Sequence, residues 1–225
     1  MRSTSREAGD HDSGATVAAV VAGLGAELAD RVDGSPSRRT MLGITGAPGS
    51  GKSTLAAGLQ DALGPDRAVV VPMDGFHLSE AIIAETSRER RKGAPDTFDV
   101  GGFLSLLARL RARDEDIVYA PSYRRGLEEP IAASIAVPAR TPLVIIEGNY
   151  LLLDQAPWAS VRRLLDEVWF VSASPVARRE RLVRRHVEFG MEPDAATAWT
   201  AGPDEANAVL VDATRGRADR VIDWP

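Results

Sequence analysis

The chain has 225 residues with 27 basic and 32 acidic side chains, a formal net charge of −5, and no cysteine. An acidic chain lacks the basic footprint of a general nucleic-acid binder, and the absence of cysteine excludes disulfides, thiolate metal sites and a thiol nucleophile. Hydrophobic residues make up 44% of a length that suits one α/β domain, and no apolar run approaches the roughly 20 residues of a membrane helix. No membrane or nucleic-acid partner is therefore expected, and the lack of cysteine fits a cytoplasmic protein. Positive charge comes almost entirely from arginine, the mark of a GC-rich genome. Only Lys52 and Lys92 are lysines, so each invites a reason.

Residues 1–13 read as a disordered polar leader, and residues 14–225 as a single domain. In the first helix, 14–33, Val17, Val20, Val21, Leu24, Leu28 and Val32 recur at three- and four-residue steps, one face of a surface helix. Gly34-Ser35-Pro36-Ser37 is a linker to the core, 40–225. Met41–Thr45 is a short buried strand, followed by a glycine-rich turn and a helix with Leu55, Leu59 and Leu63 on one face; Gly64-Pro65 stops it. Ala68–Val71 is a second strand, ended by Pro72. Helical sequence resumes near Ser79, and 88–99 reads as a charged loop. Phe103, Leu106, Leu107 and Leu110 mark another helix. Ile117–Ala120 reads as a strand closed by Pro121. Leu143–Ile146 and Val168–Val171 have the continuous apolar character of strands buried on both faces. Ser174-Pro175 opens an arginine-rich helix, and Arg220–Asp223 is a last short strand. Strands alternating with helices predict a doubly wound parallel α/β sheet.

The segment Gly46-Ala47-Pro48-Gly49-Ser50-Gly51-Lys52-Ser53 matches G-x-x-x-x-G-K-[ST] between a strand and a helix, the context that gives the motif its meaning. Backbone N–H groups free of bulky side chains curl around a phosphate, and the helix behind them points its positive end at the anion. Lys52 places an ammonium on the β- and γ-phosphates, and the Ser53 hydroxyl is a candidate Mg²⁺ ligand. Thr54 is a candidate hydroxyl near the α-phosphate.

Other residues narrow the class. No Asn-Lys-x-Asp guanine signature occurs. The strand at Leu143 ends in Glu147-Gly148, a single carboxylate suited to Mg²⁺ or its water shell, and the Asp-Glu pair of many hydrolysing ATPases is missing. Asp74 follows the second strand, where open α/β sheets place their sites; it reads either as the acceptor of a substrate hydroxyl proton or as a turn residue before Gly75. His77 reads either as a substrate ligand or as a structural loop histidine. Arg178, Arg181 and Arg185 share a helix face that could close over a triphosphate, or be merely solvated. Trp199 to Asn207 is a candidate wall of an adenine or acceptor pocket, although Gly202-Pro203-Asp204 also reads as a turn and cap.

Five segments together resemble the superfamily of P-loop kinases that contains phosphoribulokinase, uridine kinase and type I pantothenate kinase, nearest its nucleoside/nucleotide kinase-like (fructokinase-like) branch. They are Gly46–Thr54, Val71–Leu78 around Asp74-Gly75-Phe76-His77, Arg91–Asp99 with Lys92-Gly93-Ala94-Pro95, Ala120–Arg125 around Pro121-Ser122-Tyr123, and Ile146–Leu153 with Glu147-Gly148-Asn149-Tyr150. The resemblance implies a three-layer P-loop NTPase fold with core order 2-3-1-4-5, a lid helix at about 175–190, and frequent dimers, so a homodimer is an expectation. It implies Asp74 as catalytic acid–base group and Glu147 as the Walker B-like acid. It brings Lys92, Asp99, Tyr123, Arg124 and Arg125 close to substrate, and it puts Arg181 and Arg185 in the lid. Uridine kinases carry Asp-Ser-Phe-Tyr where this chain has Asp74-Gly75-Phe76-His77, and pantothenate kinases are much longer.

The expected activity is ATP- and Mg²⁺-dependent phosphorylation of a hydroxyl on a small metabolite such as a nucleoside, a sugar or a pantothenate-like acceptor. The competing expectation is a nucleotide-dependent regulatory ATPase without an acceptor. A nucleic-acid end kinase finds no basic, aromatic-interleaved stripe to support it.

Overall fold

The computed structural model describes residues 8–34, 38–86, 88 and 91–225, with side chains from residue 16 onward. Residues 1–7 of the expected leader, 35–37 of the linker, and 87, 89 and 90 of the charged loop lie outside the described residues.

Helix α1 (Ala8–Asp33) leads to strand β1 (Thr40–Thr45), helix α2 (Lys52–Leu63) and strand β2 (Ala68–Pro72). A 3₁₀ turn at Met73–Phe76 precedes helices α3 (Glu80–Glu85) and α4 (Val100–Ala112). Strands β3 (Ile117–Arg124) and β4 (Glu129–Pro138) form an antiparallel hairpin before strands β5 (Leu143–Glu147) and β6 (Glu167–Ser172). Helices α5 (Pro175–Glu188), α6 (Pro193–Trp199) and α7 (Glu205–Asp212) follow, and strand β7 (Arg220–Asp223) completes the order. The five-stranded sheet runs β2-β5-β1-β6-β7, all neighbours parallel. Numbered without the hairpin, that is the expected 2-3-1-4-5.

Successive residues of a strand point to opposite faces, and here both faces are covered. Met41, Val144, Ile146, Val168 and Phe170 enter one core, with Phe103, Leu107 and Leu110 of α4. Leu42, Ile44, Leu143, Ile145 and Trp169 enter the other, with Leu55 and Leu59 of α2 and Leu24 and Leu28 of α1. Each fully buried Leu contributes about 1.5–3 kcal/mol, so the continuous apolar runs at β5 and β6 follow directly from two-sided burial.

Two expectations need correction, and one strand had none. Helix α1 begins at Ala8 rather than residue 14, because a nucleated helix extends by one backbone hydrogen bond per residue at little cost. Pro121 does not close the strand after Ala120. The hairpin register shifts between Ala120 and Ser122, and that bulge accommodates a residue without an N–H. The partner strand β4 has no sequence expectation behind it; its exposed Ala132, Ala133, Ser134 and Ala136 dilute any apolar alternation. Among the described residues no helix is long and apolar enough to cross a membrane.

Arg39 ties the inserted elements to the sheet. It is buried, and its guanidinium donates to Leu110 O (2.6 Å) at the end of α4, Pro138 O (2.6 Å) and Ala139 O (3.1 Å) after the hairpin, and Thr141 O (3.0 Å) before β5. Burial, with help from nearby Arg113, lowers its pKa to about 10. Arg39→Met should leave four carbonyls without that donor and cost about 2–4 kcal/mol, read as a lower urea midpoint. Arg39→Lys should recover only part, since an ammonium lacks the planar fork.

Candidate active site

The site forms where three strands end. Ile44 of β1, Glu147 of β5 and Pro72 of β2 stand side by side in the parallel register. The phosphate loop leaves β1 just beyond this line, Asp74 lies two residues beyond Pro72, and Glu147 is the last residue of β5. Register alone therefore brings the phosphate loop and both carboxylates to one edge of the sheet.

Gly49 (φ +77°) and Gly51 (φ +100°) take left-handed conformations that side chains resist, and Gly51 hands the chain into α2. The first turn of α2 carries no acidic residue and no side-chain cap, so its positive end is left for an anion. The loop is buttressed from behind. A Cβ at Gly49 would meet Arg178 O at 2.6 Å, and one at Gly51 would collide with the Trp224 indole nitrogen. Trp224 is itself buried and donates its backbone N–H to Ser172 O (2.7 Å). The Ser50 hydroxyl is buried with no hydrogen-bond partner among the described residues.

Lys52 is buried at the start of α2. Burial lowers its pKa, while Glu147 and Asp74 push it back up. Ser53 Oγ donates to Glu147 Oε2 at 3.2 Å. Burial raises Glu147, against the pull of Lys52. Burial also pushes Asp74 upward, yet His77, Lys52, Arg125 and Arg185 outweigh it and hold Asp74 below the usual carboxylate range. Among the described residues no group of three or more His, Asp or Glu could hold a metal alone. One hydroxyl and one carboxylate make instead the partial shell that an ion shared with phosphate oxygens requires.

Lys52, Ser53 and Asp74 line a cleft of about 490 Å³. On its acceptor side, Arg125 Nη2 lies 3.4 Å from Asp74 Oδ2. The His77 ring sits between Phe98 (4.0 Å) and Tyr123 (4.7 Å), and its Nδ1 is 2.8 Å from Asp74 O. Burial lowers the His77 pKa, with Asp74 opposing. Lys92 pairs with Glu80, donates to Glu128 O (3.1 Å) and stands 5.6 Å over the Tyr123 ring. Tyr123 OH donates to Glu128 Oε2 at 2.9 Å. The hairpin reaches this position because Gly75 lets it: a Cβ there would meet Pro121 O at 2.5 Å. The opposite wall holds Trp199, Asn207 and the pair His186 Nε2–Asp204 Oδ2 (2.8 Å). Asp204 ends a π-helical turn, Thr200–Asp204, that contains Pro203. The stretch from Trp199 to Asn207 is thus a cleft wall as well as a turn.

Lys52, Ser53, Asp74, His77, Lys92, Tyr123, Arg125 and Arg185 come together in this cleft, and the buried Glu147 adjoins it through Ser53. Four other expected site residues sit elsewhere. Asp99 Oδ1 accepts from Gly102 N at 2.8 Å and caps α4, the use a helix start makes of Asp. Arg124 is exposed on the hairpin, outside the cleft lining, because its neighbour Arg125 takes the inward position. Thr54 is exposed on α2, away from the lining. Arg181 donates to Gly49 O (3.3 Å) and to Pro225 O, beside the buried Arg178, which donates to Pro48 O (2.9 Å). Those two arginines hold the loop's outer carbonyls. Arg185, one turn further, faces the cleft with its Nε buried and, among the described residues, unpaired. Glu80, Glu128 and His186 are lining residues without a sequence signal of their own, whereas Asp204 lies in the stretch read as a candidate wall and Asn149 in a family-like segment that assigned it no role.

No family model matches the chain. In sequence it is 40% identical over 133 residues to the ATP-dependent kinase-like protein notR' of Aspergillus versicolor, covering 56% of this chain and 77% of that one. It is 35% identical over 195 residues to "Putative uridine kinase C227.14" of Schizosaccharomyces pombe, covering 82% and 83%. The crystal structure of a "putative fructose transport system kinase" from Silicibacter sp. TM1040 superposes with a TM-score of 0.80 at 37% identity, covering 91% and 98%.

Because Asp74 is held low, it contributes stability above the unfolded carboxylate pKa, and that contribution is lost as pH falls through its folded value. Lys52→Met removes one of the cations that hold it down. The Asp74 and Glu147 carboxyl resonances should then titrate at higher pH than in the wild type. Unchanged titration in carbon NMR would contradict the placement of Lys52 between them.

Proposed function

The chain belongs to the P-loop ATP-dependent kinases related to uridine kinase, and on that footing we propose that it transfers the γ-phosphate of ATP to a hydroxyl of a small-molecule acceptor bound beside Asp74. The observation that carries this reading is the shared cleft: Lys52 and Ser53 of the phosphate loop line it together with a carboxylate, Asp74, that the loop itself does not need. A switch ATPase has no use for such a second side.

The loop amides and Lys52 hold the β- and γ-phosphates. Ser53 and Glu147 are the residues to hold Mg²⁺, which when bound supplies neutralisation of phosphate charge. The acceptor oxygen forms a bond to the γ-phosphorus. The bond from that phosphorus to the β–γ bridging oxygen breaks, and its electron pair leaves with ADP. The hydroxyl proton passes to Asp74. A carboxylate of lowered pKa is a weak base, which suits a loose transition state in which orientation of the hydroxyl matters more than early proton removal. The unpaired Nε of Arg185 supplies charge to the transferring group.

Asp74→Asn should leave ATP affinity within about twofold and lower kcat by about 10²–10⁴, measured by ADP release and by calorimetry with a non-hydrolysable ATP analogue. Wild-type turnover in this variant removes Asp74 from its role. Arg185→Ala should lower kcat by about 10²–10³ with the fold intact, because its Nε has no partner to lose among the described residues.

A further inference from the structure

The acceptor side of the cleft is built from elements that the parallel sheet does not itself align. Lys92 gathers them: it pairs with Glu80 at the start of α3, donates to Glu128 O (3.1 Å) at the hairpin turn and stands 5.6 Å over the Tyr123 ring. The far end of the segment that carries Lys92 is fastened to the stretch after β2, where Leu78 N donates to Thr97 O (2.9 Å) and Asp99 N to Phe76 O (2.8 Å). Its near end is fastened by side chains. The buried Tyr150 donates its hydroxyl to the carbonyl of Gly93, the residue after Lys92. The Trp158 indole N–H donates to Pro95 O at 3.1 Å.

Tyr150 is rooted on the phosphate side. It lies just beyond Glu147, in a turn held to β1 by Gly148 N to Ile44 O (3.1 Å) and by Thr45 Oγ1 to Asn149 O (3.0 Å). Gly46, the first residue of the phosphate loop, follows Thr45 directly. The phenol therefore spans from the root of that loop to the peptide beside Lys92. Its ring does not need the hydroxyl to stay in place. Phe98 (5.7 Å between ring centroids) and Trp158 (5.4 Å) pack edge-on against it, and a phenylalanine would fill the same volume. Burial, with Asp74 adding to it, raises the phenol pKa well above its ordinary value, so the group stays protonated and serves as a donor rather than as an acid or base. A buried phenol spends its hydroxyl on some partner. Here the partner is the carbonyl of Gly93, a residue of the cleft wall, while Tyr150 itself is outside the lining.

We propose that Tyr150 is a positioning residue whose hydroxyl, through Gly93, holds Lys92 and the acceptor wall in a fixed place relative to the phosphate loop. The proposal rests on the reading of this cleft as a kinase acceptor site. Without the hydroxyl the Gly93 carbonyl loses its donor, and segment 91–99 spends part of its time away from the binding-competent place. An acceptor must then select the ordered form, which raises its apparent dissociation constant by the inverse of the competent fraction. A saturating acceptor restores that form, so turnover at saturation is spared. Nucleotide binding is spared as well, because the phosphate loop keeps its own contacts.

Tyr150→Phe keeps the ring and removes the hydroxyl. ADP release in the presence of fructose, uridine or pantothenate finds which of the three is phosphorylated. With that acceptor the variant should show a KM about three- to tenfold higher, the worth of one hydrogen bond, with kcat and the affinity for a non-hydrolysable ATP analogue within about twofold. In a Lys92→Met background the same change should move the acceptor KM by less than about twofold, since Tyr150 acts through Lys92. Hydrogen exchange read by mass spectrometry needs no acceptor. With the ATP analogue bound, amides of 91–99 should exchange about three- to tenfold faster in Tyr150→Phe, and those of β1, β5 and α2 at the wild-type rate. An unchanged acceptor KM, unchanged exchange over 91–99, or faster exchange spread through the sheet with weaker analogue binding overturns the proposal and leaves the kinase reading standing. Analogue binding without ADP release stimulated by any of the acceptors counts against the kinase reading, and the exchange result then decides by itself whether Tyr150 holds the segment.

Discussion

The structure depends on one buried ammonium. Lys52 sits at the head of α2, out of water, and desolvation of a charge is tolerated only where opposite charge or hydrogen bonds replace the solvent. Glu147 and Asp74 supply that replacement, one from the end of β5 and the other from the turn after β2. The register that aligns Ile44, Glu147 and Pro72 therefore settles an electrostatic account as well as a hydrogen-bond ladder. An arginine there would bring a planar fork too wide for a point between two carboxylates and a phosphate. This explains a lysine in a chain that otherwise reaches for arginine. Lys92, the second lysine, also works as a compact charge, bridging Glu80 on α3 to the Glu128 carbonyl at the hairpin turn.

The phosphate loop was legible because its chemistry is local: glycines, lysine and serine act within a few residues of one another. The sheet order was legible through resemblance and through the apolar runs of β5 and β6, which only two-sided burial makes sensible. The hairpin was half legible. Strand β3 carries Ile117, Val118 and Tyr119, whereas β4 exposes alanines and a serine and pairs by register rather than by hydrophobic pattern. Asp99 shows the limit of a motif. Its segment lies by the cleft, but the side chain obeys the nearer demand of the α4 amides. The lid arginines show another limit. Helical spacing correctly groups Arg178, Arg181 and Arg185, but no spacing says which turn of α5 reaches past the loop into the cleft. Glu80 and Glu128 had no signal, since their contacts with Lys92 and Tyr123 join partners distant in sequence or pattern, and Asn149 was marked only by its segment.

Helix α5 is fastened to the phosphate loop by two guanidinium–carbonyl contacts and to α7 through Arg178, Arg179 and Glu205. The His186–Asp204 contact adds a link from the end of α5 to the π turn. The lid is therefore a helical unit seated on the loop's outer surface, with Arg185 the side chain that passes inward. Any displacement of that unit would shift the loop's outer carbonyls with it.

The Trp224 indole packed on Gly51 bears on the order in which the molecule becomes competent. Nearly the whole chain separates the glycine from the tryptophan, so the most local motif in the sequence has one of its walls built from the most distant segment. During synthesis the Gly46–Ser53 stretch emerges early, followed by every other strand, while its buttress is still to come. A nascent chain with β1 to β6 assembled carries the signature in full and yet lacks the surface that gives the loop its curvature. Packing of the Trp224 segment and the ability of the loop to hold a phosphate are thereby linked, so a ligand that binds the loop would stabilise that packing as well.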